Sequence, residues 1–326
     1  MPASEARPRK PTPGSSLADA RAALAEGRSP RILAALEDEF APRRRCKGKP
    51  PEPYWRPPLP GMTFGADVIT SWEWERPYSG EVAVLDRSGA FVAAASSVLI
   101  AHGQLKPTGP CEFDDRRPGY YRVQVHPWYE LDSLPHPLGE WGSKQAEVWV
   151  PAPVVALLRD LTEAGRWPGV TVLDSYTSDG VRLSKWAEFV NTLRAEAITE
   201  HGRDSDQYAA VKTGFGQALA LMLGRQVDGV RREWRCKAAR PDWTHAIQAQ
   251  SAATLWRWAD DCRTVAPDLG PVALRNVDEL VIPQAALEVV ITTKRSGGRA
   301  PLGIDPAGIK LGTFKVKAAQ AWKDGA

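Results

Sequence analysis

Two aspartates stand where this chain could do metal chemistry. Asp86 closes an apolar run, Val82-Ala83-Val84-Leu85, and a turn then leads through Phe91 into a second apolar, helix-compatible run. A buried strand that delivers an Asp at its C-terminal end, just before a helix, either places a metal ligand at a sheet edge or caps the helix that follows. Asp278 lies in a tight centre, Arg275-Asn276-Val277-Asp278-Glu279, between the strand-like runs Val272-Ala273-Leu274 and Leu280-Val281-Ile282. This reads as a β-hairpin with Asp278 at or near its turn.

Cations form a second group. Arg194 and Lys212 fall on two successive amphipathic helices, as an anion-gripping pair or as solvated helix charges. Residues 41–60 hold Arg43, Arg44 and Arg45 in a basic, Pro-rich stretch that either contacts phosphates or is a solvated linker. Residues 225–240 hold Arg231 and Arg232 with Trp234 among them, a pattern that suits a nucleic-acid backbone and a stacked base, or a solvated loop.

The elements that must position these groups can be taken in order. Residues 1–60 read as a basic arm with a short helical pair, Leu17 to Leu24 and Ile32 to Phe40. Ser29-Pro30 supplies a cap and a first-turn proline for the second helix. Residues 61–180 alternate strands (Glu81 to Asp86, Gly119 to Glu130, Glu147 to Val150, Val170 to Leu173) with helices, one of them opened by Pro153. Residues 181–240 read as a helical insertion: Trp186, Phe189, Val190, Leu193 and Ala197 at 3–4 spacing, a polar break at His201 to Asp206, then Tyr208 to Leu223. Residues 241–326 supply a long helix from Thr244 to Val265, the hairpin, and a basic strand around Lys315 and Lys317. The class is α/β, a mainly antiparallel sheet backed by helices and carrying a helical insertion.

Composition excludes several classes. The chain has 326 residues, 43% hydrophobic and 25% charged, which suits a globular protein. The net charge of +3 is concentrated at one end: residues 1–60 hold 12 Lys/Arg against 7 Asp/Glu, with 12 of the 28 prolines. Cys46, Cys111, Cys236 and Cys262 form no CxxC pair, which argues against zinc and against a disulfide framework. No apolar stretch is long enough to span a bilayer and no apolar signal core opens the chain, so a cytoplasmic protein is expected.

The order of parts resembles the palm and fingers of a family-B DNA polymerase, in the layout of the protein-primed branch, over residues 80–318. The family's first palm motif is Asp-x-x-Ser-Leu-Tyr-Pro; Asp86 matches its metal-binding Asp and Phe91 its sugar-packing Tyr, with Gly89 for the Ser and Val92 for the Pro. The fingers motif, Lys-x-x-x-Asn-Ser-x-Tyr-Gly, is met by Phe215-Gly216, but Tyr208 stands at the Lys and Lys212 at the Asn, a turn of about 5.4 Å away. The third motif, Tyr-x-Asp-Thr-Asp-Ser, keeps its second Asp as Asp278 and has Asn276 for the first. Leu311-Gly312-Thr313-Phe314-Lys315 resembles the Leu-Gly-x-Trp/Phe element that follows the palm.

The resemblance implies two Mg²⁺ held by Asp86 and Asp278, which would activate a 3′-hydroxyl and clamp the leaving phosphates. Phe91, Arg194 and Lys212 would face the incoming dNTP, and Arg43, Arg44, Arg45, Arg231, Arg232 and Lys315 would contact DNA. The two aspartates should then lie on neighbouring strands. Only 85 residues precede Asp86, fewer than a proofreading exonuclease needs, and Asp67-Val68-Ile69-Thr70 lacks the Glu of its Asp-x-Glu motif. About a dozen residues follow Lys315, so the DNA-gripping thumb is expected to be absent or supplied by a partner such as a terminal or replication protein. Three readings follow: a polymerase-derived protein that binds DNA ends or replication intermediates with at most weak metal-dependent nucleotidyl transfer, an active minimal polymerase or terminal transferase, and a non-catalytic DNA-binding replication or regulatory protein.

Overall fold

The structure is a computed structural model that describes residues 14–39, 68–130, 133–139, 142, 144–223, 240–294 and 300–321. In chain order its elements are α1 (Leu17–Ala25), α2 (Ile32–Glu39), β1 (Trp74–Glu75), β2 (Glu81–Arg87), α3 (Ala90–Ser97), β3 (Leu99–Ala101), β4 (Lys106–Pro107), β5 (Gly119–Gln124), β6 (Glu147–Pro151), α4 (Ala152–Glu163), β7 (Val172–Thr177), β8 (Gly180–Arg182), α5 (Ser184–His201), α6 (Asp206–Met222), α7 (Pro241–Val265), β9 (Ala273–Arg275), β10 (Glu279–Pro283), α8 (Leu287–Thr292) and β11 (Phe314–Ala321). The class is mixed α/β with antiparallel sheets.

The chain divides into two units, residues 1–54 with 188–240, and residues 55–187 with 241–326. In the first unit, Ala20 of α1, Leu193 and Ala197 of α5 and Val211 of α6 bury a small core, with Leu17, Leu24, Phe189 and Tyr208 around it. The helical pair at the N-terminus therefore packs with the helices expected to form the insertion. Ser205 caps α6 by accepting from the Tyr208 N–H, so the polar break does the work of a helix start. Gly214 sits inside α6 because a Cβ there would meet the Pro30 carbonyl at 2.7 Å.

The second unit is built on a five-stranded sheet in the order β1-β9-β10-β2-β11, every pair antiparallel. Side chains alternate across a strand, and β2 obeys this closely. Ala83 and Leu85 join the main core with Leu280, Ile282 and Phe314, while Val82 and Val84 join a smaller cluster with Val281 on the opposite face. The main core is closed by α7, 25 residues long, whose Ala249, Ala252, Ala253 and Ala259 are buried. Four small side chains let the helix lie close to the sheet. Trp256 fills the remaining volume and donates its indole N–H to the Pro135 carbonyl at 3.0 Å. A four-stranded sheet, β4-β7-β5-β6, packs with α4, and β3-β8 makes a short ribbon. Among the described residues, no helix is long and apolar enough to cross a membrane.

Candidate active site

Asp86 lies within β2, with Glu279 of β10 opposite it on one side and Lys315 of β11 on the other. The alternation that sends Leu85 to the core puts Asp86, Glu279 and Lys315 on the other face. The Lys315 ammonium is 3.3 Å from Asp86 Oδ2. Lys317 Nζ is 3.1 Å from Asp86 Oδ1 and donates to Glu279 Oε2 at 2.9 Å. Side-chain exposures of 22% for Asp86 and 13% for Glu279, against 30% and 44% for the two lysines, place the carboxylates deeper than their cations.

Asp86 does not cap the next helix. The N-cap of α3 is Gly89, in a left-handed conformation (φ 59°) with no side-chain capping bond. A residue without Cβ tolerates that turn at no steric cost, which leaves the Asp86 carboxylate to face the lysines.

Asp278 immediately precedes β10, the strand paired with β2, and its carbonyl accepts the Arg87 N–H at 2.8 Å. The hairpin places Asn276 and Val277 at φ 52° and 59°. Two successive positive φ values make the tight turn that suits strand twist, but they strain a β-branched residue. The compensation is visible: Val277 is buried in the main core, and its carbonyl accepts from Ser251 Oγ at 3.1 Å. The strained turn thus aims Asp278 at the end of β2. Burial pushes the Asp278 carboxyl up to about 6; the Asp86 charge adds to the push, and Lys317 only partly opposes it.

Arg87, the next residue, turns back to the core face. It is 6% exposed, donates to Ser251 Oγ at 3.1 Å and stacks over Trp258 at 4.6 Å. Burial pulls its pKa down to about 10, with the Asp278 charge opposing. For Lys317, burial alone would lower the pKa, but the bonds to Glu279 and Asp86 outweigh it and hold the ammonium above its usual range.

The other sequence-predicted residues divide between the two units and the undescribed segments. Phe91, on α3, is half-buried against the main core. Arg194 and Lys212 belong to the helical unit. Arg194 is 4% exposed and so is no solvated helix charge; Lys212 is exposed and holds its ammonium 5.8 Å from the centre of the Tyr208 ring, one turn back. Arg43, Arg44, Arg45, Arg231 and Arg232 lie outside the described residues, as do Trp234, Cys46 and Cys236. Sequence reasoning passed over Glu279, Lys317 and Arg87 as site residues. The spacing of Lys315 and Lys317, two apart on a strand and therefore on one face, was the available signal.

No family model matches the chain, and no curated protein matches it. Solved structures do. The orthorhombic crystal form of Phi29 DNA polymerase aligns with a TM-score of 0.51 at 13% identity, over 78% of this chain and 47% of that one. Phi29 DNA polymerase complexed with primer-template DNA, in its post-translocation binary complex, aligns with a TM-score of 0.52 at 13% identity, over 76% and 45%. The fold is polymerase-like. The chain spans about half the length of these polymerases.

Such a fold raises the question of two divalent ions between Asp86 and Asp278. Mg²⁺ takes oxygen ligands in near-octahedral geometry, and a pair of them needs an excess of negative charge. Here both oxygens of Asp86 face ammonium groups, and one of those ammoniums is shared with Glu279. Among the described residues, no group of three or more His, Cys, Asp and Glu side chains is arranged to hold a metal. The donor set does not fit a resident metal pair.

Proposed function

We propose that this chain is a DNA-binding protein built on a polymerase-like palm, directed to DNA ends or replication intermediates. The observation that carries the reading is the fold itself: a similar fold, over 76% of this chain and 45% of that one, occurs in a polymerase solved with primer-template DNA. The basic segments around Arg43 to Arg45 and Arg231 to Arg232 supply the charge for the phosphate backbone.

Fluorescence anisotropy of labelled primer-template, single-stranded and blunt duplex DNA tests it. Binding should be readily measured at about 50 mM salt and weaken steeply by about 200 mM, with each phosphate contact contributing about 0.9 to the log–log slope. Charge-neutral replacement of Arg43, Arg44 and Arg45 should flatten that slope. Absence of binding to all three DNAs at the lower salt would sink the reading.

A second reading, a small nucleotidyl transferase using dNTP and Mg²⁺, is favoured by one observation, the approach of Asp278 to the strand that carries Asp86. It requires Lys315 and Lys317 to withdraw from Asp86. Incorporation of labelled dNTP with Mg²⁺ or Mn²⁺, abolished by Asp278→Ala, would establish it over simple binding.

A further inference from the structure

The charges around Asp86 have a consequence that DNA binding does not require. Asp86 and Glu279 face each other across the β2–β10 pair at this end of the sheet, and both charges act on Asp278. Lys315 and Lys317 take the two oxygens of Asp86, Lys317 also takes Glu279, and the buried Arg87 is electrostatically coupled to Asp278. We propose that Lys317, with Lys315, is a built-in counter-charge that stands where a divalent cation at Asp86 would have to stand, so that this palm binds neither Mg²⁺ nor Mn²⁺.

The placement of the cations comes from the backbone. Register puts Lys315 directly across from Asp86, so its Cβ is on the carboxylate's face whatever rotamer the side chain adopts. Lys317 lies two residues further along the same face. There the β2–β11 register shifts, between Val316 and Ala319. That irregularity lets Lys317 stand over the gap between Asp86 and Glu279, two carboxylates facing each other across the β2–β10 pair. Arg87 is fixed more firmly still, by the Ser251 bond and the Trp258 ring. A divalent ion at Asp86 would sit against two ammonium groups. The attraction of Asp86 and Glu279 is already spent on cations that the chain carries with it.

Metal uptake can be measured without DNA, so this proposal and the DNA-binding reading stand or fall separately. Loss of the free Mn²⁺ signal in electron paramagnetic resonance would be followed on the full chain as wild type, Asp86→Asn and Lys315→Gln/Lys317→Gln. Wild type should take up no more Mn²⁺ than Asp86→Asn at concentrations up to about 1 mM, the weak end of protein cation sites. The double glutamine variant should bind about tenfold tighter or better, a size typical of changes beside metal ligands, and adding Asp86→Asn should remove the gain. Wild-type uptake that Asp86→Asn abolishes would overturn the proposal. So would a folded double variant that gains nothing, since the lysines would then not be what excludes the metal. If circular dichroism shows the double variant unfolded, Lys317→Gln alone carries the same comparison, and the wild-type titration decides on its own.

Discussion

Two charge clusters in the same unit solve different problems. In the first, Arg166 takes Glu130 with both arms of its guanidinium, at 2.9 and 2.6 Å, and reaches Asp260 at 2.6 Å. Arg263 closes the circuit, 3.0 Å from Asp260 and 3.3 Å from Glu130. The Arg166 plane also lies over Trp128 and Trp256 at 5.4 and 5.7 Å. In the second, around Asp86, the partners are mainly lysines, which offer a point charge without the fixed fork of arginine. The carboxylates report the difference. Burial alone would raise Glu130, but the bonds and charge of Arg166, with Arg263 adding, hold it below the usual range. Asp278 is pushed up to about 6. The clamp saturates its carboxylates; at the sheet end the lysines take Asp86 and Glu279, while burial keeps Asp278 raised against the partial opposition of Lys317 and Arg87.

The largest effect should come from breaking the clamp. Arg166→Ala leaves Glu130 and Asp260 partly buried without their shared partner and removes a cation from two tryptophan faces. A loss of about 2–3 kcal/mol is expected, somewhat under the range for a fully buried pair. Urea unfolding at pH 7 measures it. A loss under half of that would mean that Arg263 alone holds both acids, and the contrast with the sheet end would shrink.

Asp278→Asn tests the other side and should act in the opposite direction. The folded carboxyl titrates near 6 against 3.8 for the free side chain. A raised acid costs the fold nothing below about 3.8 and costs the most above about 6, because the native state then holds a charge it disfavours. The variant should therefore match wild type near pH 3.5, pull ahead between pH 4 and 6, and stay ahead through pH 8. Partial exposure of the group trims the gain to about 1–2 kcal/mol. Denaturation midpoints across that pH range give the profile; a gain independent of pH would show that the titration of Asp278 is not its source.

Local signals made much of this unit readable. The apolar run before Asp86, the hairpin around Asn276 and Val277 and the long helix after Pro241 each announce themselves within a few residues, through alternation, turn chemistry and helical spacing. Pairings made across long stretches of chain do not. Nothing near Lys315 says that β11 inserts beside β2, more than two hundred residues earlier. Without that register, Lys315 reads as a surface cation waiting for DNA, and Lys317 and Glu279 do not register as partners of Asp86. Gly89 hid a second fact: its left-handed turn starts α3 without a side-chain cap, which frees Asp86 from the role most strand-end aspartates fill. Arg194 was ambiguous for a different reason. Its place on an amphipathic helix reads either as an anion-gripping cation or as a solvated charge, and its burial excludes the second of these.

The smallest effect is the most discriminating. Lys317→Gln removes the one ammonium shared by Asp86 and Glu279, yet the lysine is 44% exposed, so the loss should be about 0.5–1 kcal/mol at low salt. Screening should erase most of it near 1 M salt, where the Debye length falls to about 3 Å. The Arg166→Ala loss should persist at that salt, since a bidentate, partly buried fork is screened far less. Unfolding free energies for both variants at low and high salt would show the two clusters diverging. If the Lys317→Gln loss also survived high salt, the lysine would be as tightly seated as the arginine, and a divalent ion would find it as hard to displace. If it vanished, the seat at Asp86 would be held by geometry and local charge alone, and the Mn²⁺ titration becomes the stricter test of what the sheet end admits.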